Sequence, residues 1–314
     1  LTEKKGMDKE RKKRIFRLAL VSSLVVYAAL VSLYFACGGW RALFVGARVP
    51  SAAATREAAY GRPERILSLA PSITETLYAL GLSDRIVGVT RNCNYPPECL
   101  KKPRVGDIYL DYEQVVKMKP DLIISEDTVR QEAAAKLKKL GFRILSVNCR
   151  TLAEFKSGLL LMGKATQTQG ESRRILDSME RIMASVQEKV NTVPLSKRPR
   201  VFVEIWNEPL MTAGRQTIIS ELVGMAGGIN IGNELGAGFP RLSQETVLTK
   251  NPGIIVLTTS PVEEVLGKKT WRQIKAVREG RVYRIDPDIL VRPTPRMVQG
   301  LLKMARWFHP GLEF

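Results

Sequence analysis

The feature that most constrains this chain is that it repeats itself. Glu75-Thr-Leu-Tyr-Ala-Leu-Gly81 has a counterpart in Glu221-Leu-Val-Gly-Met-Ala-Gly227, with the same glutamate-to-glycine spacing. Further on, EQVVKMKPDLII from Glu113 superposes without a gap on ETVLTKNPGIIV from Glu245, aligning Val115 with Val247 and Pro120 with Pro252. Each copy reads as a helix, a proline stop and a buried strand. Two copies are too few to stack as a solenoid, so the pattern predicts two similar units facing each other.

Short apolar runs alternate with amphipathic stretches through residues 63–314, the pattern of an α/β fold with mostly parallel sheets. Strands are expected at Arg65–Leu69, Ile86–Val89, Asp121–Ile124, Ile144–Val147 and Val201–Ile205, with helices at Thr74–Leu80 and Val129–Leu140. From Leu152 to Val193 the apolar positions recur at helical intervals with no strand signal, and Pro194 and Pro199 end the run. The expected organisation is an N-terminal α/β lobe at 63–151, one long, rigid or once-kinked bridging helix at 152–198, and a C-terminal α/β lobe at 199–314. Such a pair of lobes holds a ligand cleft between them, because open α/β sheets bind ligands beyond the carboxyl ends of their strands.

The 49 basic and 31 acidic residues give a net charge of +18. Part of this excess is an address. Residues 1–17 carry eight basic against three acidic side chains, and Leu18–Ala36 comes next with no charge at all. A helix of that length spans roughly 28 Å, close to the hydrocarbon thickness of a bilayer. The basic flank keeps residues 1–17 in the cytoplasm and sends the chain beyond Ala36 outside. The segment is expected to be a transmembrane or signal-anchor helix, with 37–62 as a linker. Ala36–Cys37 also has the outline of a lipidation site, and Ala52 and Ala54 that of a later cleavage site. The remaining positive charge suits an anionic ligand or a membrane surface, and no nucleic-acid partner is expected.

Catalytic chemistry finds little support. A single histidine, His309, argues against histidine-based triads and metal centres. The six glycines in GMAGGINIGNELGAG are followed by no Gly-Lys-Ser/Thr, so they form no phosphate-binding loop, and no G-x-S-x-G elbow is present. The chain is read as a non-enzyme with no catalytic cofactor and no bound metal. Cys93 and Cys99 flank NYPPE, where a disulfide outside the cytoplasm would pin the loop, with Cys149 as an alternative partner. Arg91, Arg215, Arg241 and Arg292, if they converge on a cleft, would suit an anionic chelate.

The ordered stretches RILSLAPSITETLYALG, NYPP, KPRVG, YEQVVKMKPDLII, EIWNEPLMTAG, AGGINI, FPRLSQETVLTKNPGIIV, WRQIKAVREGRVYRID and RPTPRMVQGLLKMARWFHP resemble the solute-binding proteins of ABC importers for iron complexes and cobalamin. The likeness covers residues 64–310 and is strongest to the cobalamin-binding members. It implies an extracytoplasmic protein, periplasmic or cell-surface, that captures a corrinoid and delivers it to an ABC permease with its ATPase. The protein is expected to be a monomer tethered to the membrane by its N-terminal segment. A ferric siderophore or haem-type chelate is the alternative ligand, and a membrane-anchored ligand-sensing module the alternative role. By motif position, Glu113 and Glu245 resemble the glutamates that dock on permease arginines, and Glu75 and Glu221 are the runner-up pair. Phe239 matches an aromatic of the corrinoid cleft. Asn92 and Met211 stand where other aromatics would be, and Glu126 follows a strand where a further one is usual. Tyr95, Tyr109 and Trp206 offer stacking surface nearby, and Arg241 completes the candidate ligand set.

Overall fold

The duplication seen in the sequence is a duplication of structure. The computed structural model describes residues 61–107, 109–126 and 131–314. Expectations for residues 1–60, including the membrane helix at Leu18–Ala36 and lipidation of Cys37, lie outside the described residues. The first sheet contains β1 (Ile66–Ser68), β2 (Ile86–Gly88), β3 (Leu122–Glu126) and β4 (Ile144–Val147), all parallel, in the order β2-β1-β3-β4. The second contains β5 (Arg200–Trp206), β6 (Met211–Thr212), β7 (Ile229–Asn230), β8 (Ile254–Leu257) and β9 (Val282–Arg284). There β7, β8 and β9 run parallel to their neighbours in the order β7-β5-β8-β9, and β6 adds an antiparallel pairing at the end of β5. The central strands are almost uninterrupted runs of buried Ile, Leu and Val, as parallel strands covered on both faces require.

Helices occupy matching places in the two series. α1 (Pro71–Ala79) and α2 (Tyr112–Met118) precede β2 and β3; α3 (Gln131–Lys139) precedes β4; α4 (Leu152–Thr166) and α5 (Gln169–Val190) follow it. The second half holds α6 (Ile218–Met225) before β7, α7 (Gln244–Lys250) before β8, α8 (Val262–Gly267) and α9 (Lys275–Arg278) before β9, then α10 (Pro287–Leu290) and α11 (Met297–Phe308). Asp111 caps α2 through Gln114 N–H at 3.0 Å, and Ser243 caps α7 through Thr246 N–H at 3.2 Å. Val115 and Val247 are the fully buried anchors of these two helices. Both helices end in a left-handed residue, Lys119 at φ 44° and Asn251 at φ 43°, just before the aligned prolines. The proline cannot continue the helix, so the chain must turn there into the strand.

The span 152–198 is not one bridging helix. α4 begins in a capping box, with Thr151 Oγ1 accepting from Glu154 N–H at 3.2 Å and the Glu154 carboxylate accepting from Thr151 N–H at 3.3 Å. It ends where Gln167 adopts φ 58°, and the chain folds back. Lys156 and Glu180 then meet at 2.7 Å, so α4 and α5 form an antiparallel hairpin. Gly163 makes the close turn, since a Cβ there would stand 2.2 Å from Ser172 Oγ. Of the two, α5 is the bridge. Its 22 residues extend about 33 Å. It packs against α4 of the first half and against α6 and α11 of the second, through a stripe of Leu176, Met179, Met183, Val186 and Val190.

One hydrophobic cluster runs continuously from Leu77 and Ile124 through Phe155 and Met183 to Val203, Leu222 and Met304. Each sheet's other face has its own smaller cluster, around Leu67, Val115 and Ile123 in the first half and Phe202, Val247 and Trp271 in the second. Each large side chain in the shared cluster contributes about 1.5–3 kcal/mol on burial. Separating the halves would expose many of them.

His309 closes this core after α11. Its ring lies against Gly227, where a Cβ would come within 2.3 Å of Nε2 and where φ is 81°. Burial, reinforced by the Arg198 and Arg281 charges, outweighs hydrogen bonding to the Gly227 and Ala226 backbone and lowers the imidazole pKa from its ordinary 6.5. The unfolded chain therefore takes up this proton first as pH falls, and stability drops as pH passes below 6.5 through the native value. Urea midpoints should fall more between pH 7.5 and pH 5 in the parent than in His309→Gln. Equal falls would show that His309 does not carry this dependence.

Candidate functional site

Each half brings a group of the sequence candidates to the carboxyl edge of its sheet. On the second sheet, Trp206 ends β5 and is paired with Met211 of β6, while Met211 is bridged to Arg241. Trp206, Met211 and Arg241 therefore lie on one ladder, with Phe239 two residues from its end. Trp206 is 53% and Phe239 46% exposed, large apolar surfaces that a folded chain would bury unless something else covers them. Trp206 Nε1 donates to the carbonyl of Glu208 at 2.7 Å, which fixes the indole plane. Phe239 is carried by a loop that needs glycine, with Gly238 at φ 70° and Gly236 at φ 152°.

On the first half, Asn92 Nδ2 donates to the Asp107 carboxylate at 2.5 Å, and Arg91 N–H donates to Gly106 O at 2.9 Å. These bonds hold the segment after β2 against the turn that carries Tyr109, which is 90% exposed. Gly106 permits that turn, since a Cβ would lie 2.2 Å from the Tyr109 carbonyl oxygen. Ser72, at the start of α1, donates to the Glu126 carboxylate at the end of β3.

Tyr95 belongs to a different group. The Arg296 guanidinium sits 3.5 Å from its ring centroid, so this face of the ring is occupied. Arg296 Nε donates to Glu75 Oε2 at 2.8 Å, and Arg292 donates to Glu75 Oε1 at 3.1 Å. Arg292 also pairs with Asp288 at 2.8 Å, and Asn94 Nδ2 donates to Asp288 at 2.8 Å. Two of the four candidate arginines are thus already engaged. Arg292 is neutralised twice, and Arg215 donates to the carbonyl of Asn233. Sequence spacing offered no sign of the Glu75 pairing, because its partners lie more than 200 residues away.

Cys93 and Cys99 are free buried thiols, not a disulfide. Cys93 Sγ instead faces the hydroxyls of Thr74 at 3.1 Å and Thr90 at 3.2 Å, while Cys99 lies in the short turn Pro97–Lys101. Burial raises the Cys99 thiol pKa. Burial, with the Glu126 and Glu154 charges, pushes Cys149 up to about 12, which keeps it a thiol at neutral pH. No group of three or more His, Cys, Asp or Glu side chains able to hold a metal occurs among the described residues.

Glu113 and Glu245 are both exposed in the first turn of their helices, where the helix dipole favours a carboxylate. Neither carboxylate forms an ion pair or a side-chain hydrogen bond among the described residues. They are thus equivalent, free charges on equivalent helices. A cavity of about 600 Å³ at the α4–α5–α6 joint, lined by Leu152, Lys156, Val190, Arg198, Glu221 and Met225, shares no residue with the candidate ligand set.

Residues 66–289 match the periplasmic binding protein family. The chain belongs to that family. Among its relatives, the ABC transporter substrate-binding lipoprotein YvrC of Bacillus subtilis is 32% identical over 79% of this chain and 81% of its own length. The vitamin B12-binding protein of Vibrio cholerae is 30% identical over 78% of this chain and 88% of its own. The crystal structure of the periplasmic vitamin B12-binding protein BtuF of Vibrio cholerae superposes with a TM-score of 0.65 at 28% identity, covering 79% of this chain and 97% of that one. This periplasmic binding protein is a substrate-binding component of the kind that serves ABC importers, and it places its free aromatics where parallel sheets present ligands.

Proposed function

We propose that this periplasmic binding protein captures a corrinoid in a cleft between two lobes and presents it to an ABC permease through Glu113 and Glu245. The observation that carries the reading is the exposed apolar edge of the second sheet, where Trp206 and Phe239 flank Met211. Flat aromatic faces and an adaptable thioether suit a large, rigid macrocycle better than a small polar solute. Asn92 and Tyr109 supply polar and stacking contacts from the first half, and Arg241 supplies a charge. Tyr95, one face of which is taken by Arg296, stands apart from this set. The engagement of Arg292 with Glu75 and Asp288 disfavours an anionic ferric siderophore, which would call for several free arginines. The relatives that bind vitamin B12 support the same reading.

On this proposal, residues 63–151 with α4 packed on them form one lobe, 199–314 the other, and α5 acts as the joint. The N-terminal segment tethers the protein to the extracytoplasmic face of the membrane. The shared core predicts modest lobe rocking on ligand capture. Mixing the purified protein with cyanocobalamin should yield a corrinoid absorbance that co-elutes with the protein on gel filtration, and Trp206→Ala should lose most of it. Calorimetry showing no heat with any corrinoid would sink the proposal.

A further inference from the structure

The duplicated glutamates Glu75 and Glu221 have no part in the docking or ligand sets, yet both are committed to contacts across the two halves. Glu75, on α1, is only 4% exposed, and its carboxylate is held entirely by the second half. Arg292 donates to Oε1 at 3.1 Å, Arg296 Nε donates to Oε2 at 2.8 Å, and Arg296 Nη2 lies 2.7 Å from the same oxygen. The contact is broader than one ion pair. Arg296 lies over Tyr95, Arg292 donates to Asn94 Oδ1 at 2.5 Å, and Asn94 also donates to Asp288. Segment 92–95 of the first half and segment 288–296 of the second are thus bound by charge, hydrogen bond and ring.

Glu221, at the matching place on α6, reaches the other way. Its Oε2 accepts from the backbone N–H of Leu152 at 2.6 Å, so a second-half carboxylate caps the N-terminus of first-half helix α4. One residue row away, Ile218 N–H donates to Arg150 O at 2.6 Å. The same position of the repeat therefore grips the opposite half twice, once in each direction.

We infer that Glu75 and Glu221 are reciprocal clasps that fix the spacing of the two sheets. They are positioning residues: they set the opening of the ligand cleft and the separation of Glu113 and Glu245 without touching ligand or permease. The shared core at α5 permits only modest rocking of the halves, and two clasps on the duplicated first helices restrain it further. The buried Glu75 carboxylate makes its clasp the harder to open, because parting it from its half-buried arginines would leave a desolvated charge without partners. The clasp itself follows from the contacts between the halves; its effect on binding rests on the corrinoid reading.

Hydrogen–deuterium exchange on the full chain tests the two parts separately. In Glu75→Gln, amides of 92–95 and 291–297 should exchange at least about tenfold faster, with α7 and β8 unchanged. In Glu221→Gln the acceleration should instead fall on Leu152 and the first turn of α4. Glu204→Gln, which lowers stability from a site outside either clasp, should not reproduce either pattern. Exchange that rises evenly over the whole chain in the clasp variants, or that stays at the parent level across from the mutation, overturns the inference. If Glu75→Gln does not fold, the Glu75→Gln/Arg292→Gln/Arg296→Gln variant removes the buried charge and must still show the local acceleration. Cyanocobalamin affinity in the Glu75→Gln variant should fall at least about fivefold. Should the parent bind no corrinoid at all, the corrinoid reading fails while the exchange result still decides the clasp.

Discussion

Replacing both Glu113 and Glu245 by alanine should abolish ligand uptake while leaving ligand affinity at the parent value. Both carboxylates are exposed, unpaired among the described residues and borne on the first turn of short capped helices. Losing either one costs the fold only the favourable dipole interaction, about 0.3–1 kcal/mol. Against a partner the balance differs. A charged group desolvated against arginine is worth about 2–5 kcal/mol when one partner is truncated. Each single substitution should therefore weaken the proposed docking by about 30-fold or more, and the pair should act together if both helices engage one permease. Uptake by membrane vesicles or whole cells, measured beside ligand binding by the purified variant, reads the two effects apart. Normal uptake by the double variant would remove these glutamates from the docking surface. Lost uptake with equally lost ligand binding would assign them to the ligand site instead.

The largest effect on stability is expected at Glu204. This residue lies inside β5 at 1% exposure, with no cation beside it among the described residues. Four donors from the turn after β8 satisfy its carboxylate: Thr259 N–H at 3.3 Å, Thr259 Oγ1 at 2.8 Å, Ser260 N–H at 2.8 Å and Ser260 Oγ at 2.8 Å. Hydrogen bonds to a charged group contribute about 1.5–3 kcal/mol each, and an orphaned buried donor costs about 1–3 kcal/mol. Glu204→Ala should lower unfolding free energy by at least about 3 kcal/mol, and Glu204→Gln by about half as much, since an amide keeps one acceptor oxygen. Urea denaturation with an unchanged slope checks both. A midpoint unaltered in Glu204→Ala would show that solvent reaches the turn and replaces the carboxylate. Because the turn follows β8 at the same carboxyl edge as Trp206, the variant that survives should also bind ligand more weakly.

Legibility from the chain alone differs from element to element. Strand β4 is expected at Ile144–Val147 and is found there, because a short β-branched run between a helix and a polar turn admits few alternatives. The repeat around Glu113 and Glu245 is legible for a similar reason. Cap, buried valine and proline are local signals, and the structure reproduces even their left-handed helix ends. The stretch 152–198 misleads, because its apolar positions fit one helix or two equally well. The left-handed Gln167, the close approach of Gly163 to Ser172 and the meeting of Lys156 with Glu180 show the chain folding back. The paired cysteines mislead likewise. Their spacing suggests a bridge, and the hydroxyls of Thr74 on α1 and Thr90 nearby in the chain face Cys93 instead. Glu204 does leave a trace, a carboxylate in the apolar run VFVEIW, although the run does not tell which donors meet it.

Helix caps, proline stops and strand periodicity act over a few residues, so the two-fold architecture and the two free glutamates were already written in the chain. Which charges remain available was decided by the folded arrangement. Arg292 and Arg296 pair with Glu75 because folding carried them to it across 217 and 221 residues of sequence. Burial of the Glu75 carboxylate favours that pairing strongly. The same folding left Trp206 and Phe239 uncovered at the end of a parallel sheet, where the proposed ligand site lies.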